Sequence, residues 1–204
     1  MATFMDIILS SFIGATLLII MLTTNDIAME NSALANGEQQ VQEALISTTQ
    51  YLEGELRNMG FGVPDTQRVV TLADSSTVRY RVDLPPLGVI DTVAFYIGNT
   101  NELIDTPNEQ DRFLYRQVNG GQPFIMGVVT QFHLRYFDRA GALLSMPVLG
   151  TDLKKIYEIE STVEVQNSYA LYRKQDQVLS GERDALYSSV LWKQTRLASQ
   201  NLRR

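Results

Sequence analysis

Cysteine is absent from the chain and histidine occurs once, at His133. Disulfides, thiolate chemistry, Cys-ligated zinc and metal centres built on several imidazoles are thereby excluded. No Gly-x-Ser-x-Gly, phosphate-cradling glycine loop or His-rich metal motif occurs either, so neither an enzyme nor a cofactor is expected. Lysine and arginine are missing from residues 1–56, and no proline precedes Pro64. The first absence leaves Asp6, Asp26, Glu30, Glu38, Glu43, Glu53 and Glu55 without a local cation. That segment carries −7 of a net −6, and the remainder is +1. Such a segment repels phosphate backbones, which argues against nucleic acid as a partner. The missing prolines leave a helix free to run the full length of the segment.

What is present begins with an uncharged, largely apolar run from Ile7 to Asn25, 19 residues long. This is close to the length that crosses a bilayer as a helix. A cleaved signal peptide fits poorly, because there is no basic flank ahead of the run. The positive-inside rule has no cation to count on either side, so charge does not set an orientation. Ser10 and Gly14 have the small-xxx-small spacing that lets two helices approach closely. Thr3-x-x-Asp6 has the form of a capping box, and an inter-subunit ion pair is the alternative role for Asp6.

From Val41 the apolar positions Val41, Leu45, Thr48, Leu52, Leu56 and Met59 advance in threes and fours, one stripe of a helix. Gln39, Gln42, Glu43, Gln50, Glu53 and Arg57 are expected on the watery side. Gly37 offers a bend, and Gly60 and Gly62 before Pro64 end the helix. Beyond Pro64 the period changes to two. Strands are expected at Thr77–Val82, Thr92–Ile97, Phe113–Val118, Val128–Phe137 (the longest) and Ile159–Val165. Helical turns are expected at Thr151–Tyr157, a polar loop over 166–185, and a closing strand from Leu186 to Lys193. The fold expected is α+β, a long N-terminal helix packed on an antiparallel sheet. It divides as 1–26 apolar half-helix, 27–62 amphipathic half-helix and 63–204 β-rich head.

Three further features have bland expectations. His133 alternates with Phe132 and Leu134 and belongs on the solvent side of its strand. The oxygen-rich loop Asp105–Asp111 reads as an ordinary acidic loop, with calcium ligation as the lesser alternative. Trp192 and Tyr187 are expected in the core of the closing strand, with exposure at a partner interface as the lesser alternative. The C-terminal cations Lys193, Arg196, Arg203 and Arg204 read as a solvated tail, or as partners for the acidic helices of neighbouring copies.

The order of these parts resembles the type IV pilin-like proteins, and within them the J-type pseudopilins of type II secretion and the W-type minor pilins of type IV pili. Thr3-Phe4-Met5-Asp6-Ile7-Ile8-Leu9 is similar to the start of mature pilins, and Ile13-Gly14-Ala15 continues the likeness. Leu52-Glu53-Gly54-Glu55-Leu56-Arg57-Asn58-Met59-Gly60-Phe61 is similar to the family's helix end. Phe113–Arg116, Asn119-Gly120-Gly121, Gly127–Phe132 and Arg135–Asp138 match the head. Two departures stand out. Met1 and Ala2 occupy the positions of the leader's glycine and the following phenylalanine, and Asp6 replaces a glutamate. The resemblance implies a minor subunit in the bacterial inner membrane, with a periplasmic or extracellular head. Its partners would be other pilin or pseudopilin subunits and membrane lipid. The resemblance also implies that Asp6 pairs with a neighbour's N-terminal amine. A single-pass anchored binding protein that never polymerises is the alternative.

Overall fold

A computed structural model describes residues 2–84, 88–104, 106, 108–166 and 190–203. Helix α1 (Ala2–Arg57) is 56 residues long, about 84 Å at 1.5 Å per residue. The hydrogen-bonded helix passes through Gly37 and Gly54 without interruption. Eight strands follow: β1 (Val70–Ala73), β2 (Thr77–Asp83), β3 (Ile90–Ile97), β4 (Arg112–Val118), β5 (Phe124–Val129), β6 (Gln131–Phe137), β7 (Glu158–Gln166) and β8 (Val190–Leu197). They form a five-stranded sheet in the order β1-β2-β3-β4-β5 and a three-stranded sheet in the order β6-β7-β8. Every pairing is antiparallel. A 3₁₀ segment at Gly150–Lys155 takes the place of the expected helical turns. The α+β class and the helix-on-sheet arrangement are as expected.

The stripe Val41, Leu45, Thr48, Leu52, Leu56 and Met59 is buried throughout. It meets inward side chains of both sheets: Val78, Tyr80, Phe95 and Leu114 from the first, Phe132, Leu134, Ile159 and Val163 from the second. Each buried Leu or Met contributes roughly 1.5–3 kcal/mol by leaving water. Two fully buried tyrosines tie the layers together with their hydroxyls. Tyr80 donates to the Glu55 carbonyl at 3.3 Å, and Tyr136 donates to the Asp74 carbonyl at 3.0 Å. Burial pushes both phenols well above their ordinary pKa. A buried Tyr keeps its apolar body in the core only if its hydroxyl finds such a partner.

Four local expectations need correcting. The long strand expected at Val128–Phe137 is two strands in two sheets. Thr130 is the crossing point, its amide donating to the Glu164 carbonyl at 2.9 Å and its hydroxyl to Glu164 Oε1 at 2.9 Å. Val129 and Thr130 are consecutively buried there, which breaks the alternation. Thr3 lies inside α1, so Thr3 and Asp6 do not make a capping box. Trp192 is 62% exposed, because β8 turns Leu191, Lys193 and Thr195 inward and Trp192 outward. Glu53 lies against the head rather than facing water, for reasons given below. Of the expected closing strand, Val190–Lys193 lies in β8, which continues to Leu197, and 186–189 fall outside the described residues. Tyr187 and all of the expected polar loop except Gln166 fall outside the described residues.

The helix ends where glycine is required. Gly60 and Gly62 have φ of +78° and +72°. A Cβ on Gly62 would lie 2.5 Å from the Asp83 Cβ. Gly127 is needed for another reason, since a Cβ there would lie 2.8 Å from Thr48 Oγ1, where β5 approaches the helix. Gly127→Ala is expected to destabilise the protein by about 1–3 kcal/mol through overpacking. The loss should shrink in a Thr48→Ala background, measured by urea unfolding of the detergent-solubilised chain. Equal losses in both backgrounds would mean that this contact does not seat β5.

Candidate functional site

The exposed half of α1 is the feature of this fold that calls for a function. Every residue from Thr3 to Met29 is exposed, including Phe12 at 71% and Leu17 at 61%. A continuous apolar surface of this kind marks a membrane or partner contact. α1 is long and apolar enough to cross a membrane, and none of its most apolar stretch is buried in the protein. Ile7–Asn25 spans about 28 Å of helix axis, against about 30 Å of bilayer hydrocarbon. Asp6 and Asp26 therefore stand at the two ends of the apolar run rather than within it.

The hydroxyls in this run do not weaken it as their composition suggests. Ser10 Oγ donates to the Ile7 carbonyl at 3.0 Å, Thr16 to Phe12 at 2.8 Å, Thr23 to Ile20 at 2.9 Å and Thr24 to Ile20 at 2.7 Å. Each of these four hydroxyls is satisfied by its own helix, which removes the penalty of an unpaired polar group in hydrocarbon. Asp6, Ser10 and Gly14 follow one another at four-residue spacing and so share one stripe of the helix. All three are exposed, and the space a Gly14 side chain would fill is open. Asp6 makes no ion pair among the described residues.

At the other end, α1 is clasped on both flanks of its apolar stripe. Glu55 receives two hydrogen bonds from Arg116 Nη2 of β4, each 3.2 Å. Glu53 meets Lys193 Nζ of β8 at 2.8 Å and accepts from the Thr195 hydroxyl at 2.8 Å. Two residues apart on a helix means about 200° of rotation, so one carboxylate reaches each sheet. The C-terminal segment then covers the end of the helix. Ser199 Oγ donates to the Arg57 and Met59 carbonyls at 3.1 and 2.8 Å, and Asn201 Nδ2 donates to Met59 at 3.2 Å. Carbonyls that a helix terminus leaves unpaired are thereby satisfied.

The clasp accounts for part of the C-terminal basic cluster: Lys193 pairs with Glu53, and Arg196 pairs with Glu158 while lying 3.7 Å over the Phe137 ring. The Arg203 side chain and Arg204 are outside the described residues. Asp6, Asp26, Glu30, Glu38 and Glu43 have no ion pair among the described residues. His133 is half-buried on β6, opposite Thr162. Among the described residues no group of three metal-ligating side chains forms. In the acidic loop, Asn108 is buried and donates to Gln166 Oε1 at 3.0 Å, and Asp105 is outside the described residues. The inter-sheet clasp is what sequence reasoning missed. The only signal was a carboxylate pair, Glu53 and Glu55, flanking the apolar stripe.

Comparison of the chain with protein-family models, with curated proteins and with solved structures finds no match. The architecture itself, one long N-terminal helix with an exposed apolar half and then antiparallel sheets, is consistent with a pilin-like arrangement and with membrane anchoring.

The clasp has a pH signature. The Lys193 hydrogen bond holds the Glu53 carboxyl below its ordinary range, helped by Thr195 and opposed by burial. A lowered folded-state pKa contributes stability above the unfolded value, and that contribution is lost as pH falls through the folded value. Glu53→Gln should therefore melt lower than wild type at pH 7. The gap should close as pH falls below about 4. A gap unchanged from pH 7 to pH 3 would contradict the assignment.

Proposed function

We propose that the protein is a structural, non-catalytic subunit of the pilin-like class, a minor pilin or pseudopilin. Its apolar stem is held in the bacterial inner membrane and passes into a filament of other such subunits, at or near the tip, to prime assembly. The head is periplasmic or extracellular. The single observation that carries this reading is one unbroken helix, exposed from Thr3 to Met29, apolar from Ile7 to Asn25 and clasped by a β-rich head from Val41 onward. Lipid hydrocarbon and a bundle of apolar helices shield such a surface equally well, so one stem serves both environments.

The five stem carboxylates without an ion pair among the described residues support a minor rather than a bulk role. Copies of this helix packed side by side would set Asp26, Glu30, Glu38 and Glu43 against one another with no Lys or Arg of the stem between them. Neighbours of a different sequence avoid that. Asp6, Ser10 and Gly14, on one stripe, are the residues assigned to contact with the neighbouring subunit. The same stem fits an anchored binding protein that never polymerises, and fractionation separates the two.

In liposome flotation the wild type should rise with the lipid. Ile13→Lys with Leu17→Lys should remain at the bottom, since each charge at mid-membrane costs about 2.5–3.5 kcal/mol on insertion scales. In cells with a pilin-type machine, the wild type should appear in sheared filaments by immunogold. Asp6→Ala should keep a folded head and be depleted from them. Wild-type protein confined to the membrane fraction would favour the non-polymerising alternative. Normal incorporation of Asp6→Ala would remove the assembly role of Asp6.

A further inference from the structure

The five-stranded sheet has a second face, turned away from α1, that the anchoring role does not use. Val78, Tyr80, Val82, Val93, Phe95 and Leu114 point inward and are buried. Their alternate neighbours form the outer face. Register places Arg79, Ala94 and Gln117 in one row across β2, β3 and β4. Ala94, only 4% exposed, forms the floor of a shallow depression of about 350 Å³ lined by Arg79, Thr92, Ala94, Gln117, Asn119 and Gly120. The next row of the same face holds Tyr96 opposite Tyr115.

The polar groups of the depression are fixed in advance. Gln117 Nε2 donates to the Gly121 carbonyl at 2.8 Å. Asn119 Oδ1 accepts from the Thr92 amide at 2.8 Å, and its Nδ2 donates to Asp91 Oδ1 at 2.7 Å. Asn119 holds a positive φ of 52° at the turn. The Arg79 guanidinium is exposed and makes no ion pair among the described residues. Beside the depression the Tyr96 and Tyr115 rings stack with centroids 5.3 Å apart, and Phe113 lies 5.9 Å from Tyr115. The Tyr115 hydroxyl donates to Glu102 Oε2 at 2.7 Å, a bond that pushes its pKa up to about 12.

We propose that this depression binds an acidic saccharide. Preset side-chain amides match vicinal hydroxyls, and the stacked Tyr96–Tyr115 pair lies one row along the same face, where its edge can meet a further sugar ring. An unpaired guanidinium offers a two-pronged bond to a carboxylate. Other ligand classes fit less well. The backbone groups of β3 at the centre are already paired on both sides, so an extended peptide cannot add as a strand. No carboxylate lines the depression to hold a divalent cation, and its polar rim disfavours a purely apolar ligand. This inference is independent of filament assembly.

The test is calorimetry on the full chain in lipid nanodiscs, with trigalacturonate and sialyllactose as acidic saccharides, maltotriose as the neutral one, and inorganic phosphate as the charge control. At least one acidic saccharide should bind, and maltotriose and phosphate should bind at least tenfold more weakly. Arg79→Ala should lose at least tenfold in affinity with an unchanged melting temperature, and Arg79→Lys should recover only part of the loss. No heat with either acidic saccharide, undiminished binding by Arg79→Ala, or phosphate binding as tightly would each overturn the proposal.

Discussion

The structure depends on one stripe of one helix that serves two sheets at once. The five-stranded and three-stranded sheets are separate hydrogen-bonded units. Each buries its inner face against Leu45, Leu52, Leu56 and Met59 or against residues in contact with them. A narrow stripe would let the helix roll. The carboxylates on either side of it prevent that, because Glu55 is held by Arg116 of one sheet and Glu53 by Lys193 of the other. Both ion pairs are partly buried and hydrogen-bonded, and Arg116 Nε is left without a partner among the described residues. Closing the helix end with Ser199 and Asn201 brings the C-terminal segment to the same place. The head thus grips the last third of α1 from both sides and from its end.

A helix held this way projects its other end as a stem. The stem keeps its backbone bonds, folds the hydroxyls of Ser10, Thr16, Thr23 and Thr24 back onto its own carbonyls, and sets acidic groups at both ends of the apolar run. These are the features a helix needs in order to pass between lipid and a bundle of other helices without refolding. The outer face of the five-stranded sheet, with the Arg79 depression, is turned away from the helix.

Much of this was legible in the sequence, for reasons that differ by element. The apolar run and the stripe from Val41 to Met59 could be read because helical periodicity survives tertiary packing unchanged. Glycines 60 and 62 marked the helix end because positive φ excludes most other residues. The break at Thr130 was invisible. Val128 to Phe137 reads in sequence as one strand would, and the change of sheet shows only in the consecutive burial of Val129 and Thr130 and in the pairing partners. β1 was passed over because four residues are too few to show a period, although Asp74-Ser75-Ser76 marks its turn. Trp192 was misplaced because alternation sets which residues share a face but not which face is inward. The roles of Glu53 and Glu55 depended on cations at positions 193 and 116, separations that no local pattern reports.

The central claim is that α1 is a single rod, lipid-facing over Ile7–Asn25 and core-facing from Val41. The absence of native cysteine allows a direct measurement. Single substitutions to cysteine from Asp6 to Leu52, such as Leu17→Cys, can be spin-labelled and the full chain placed in nanodiscs. Accessibility to oxygen and to a water-soluble nickel chelate is then read at each site. The account expects high oxygen and low nickel access from residue 7 to 25, an unbroken helical period through residues 26–40, and low access to both reagents at 41, 45 and 52. Nickel access within the apolar run, or a loss of helical period between the run and Val41, would contradict it.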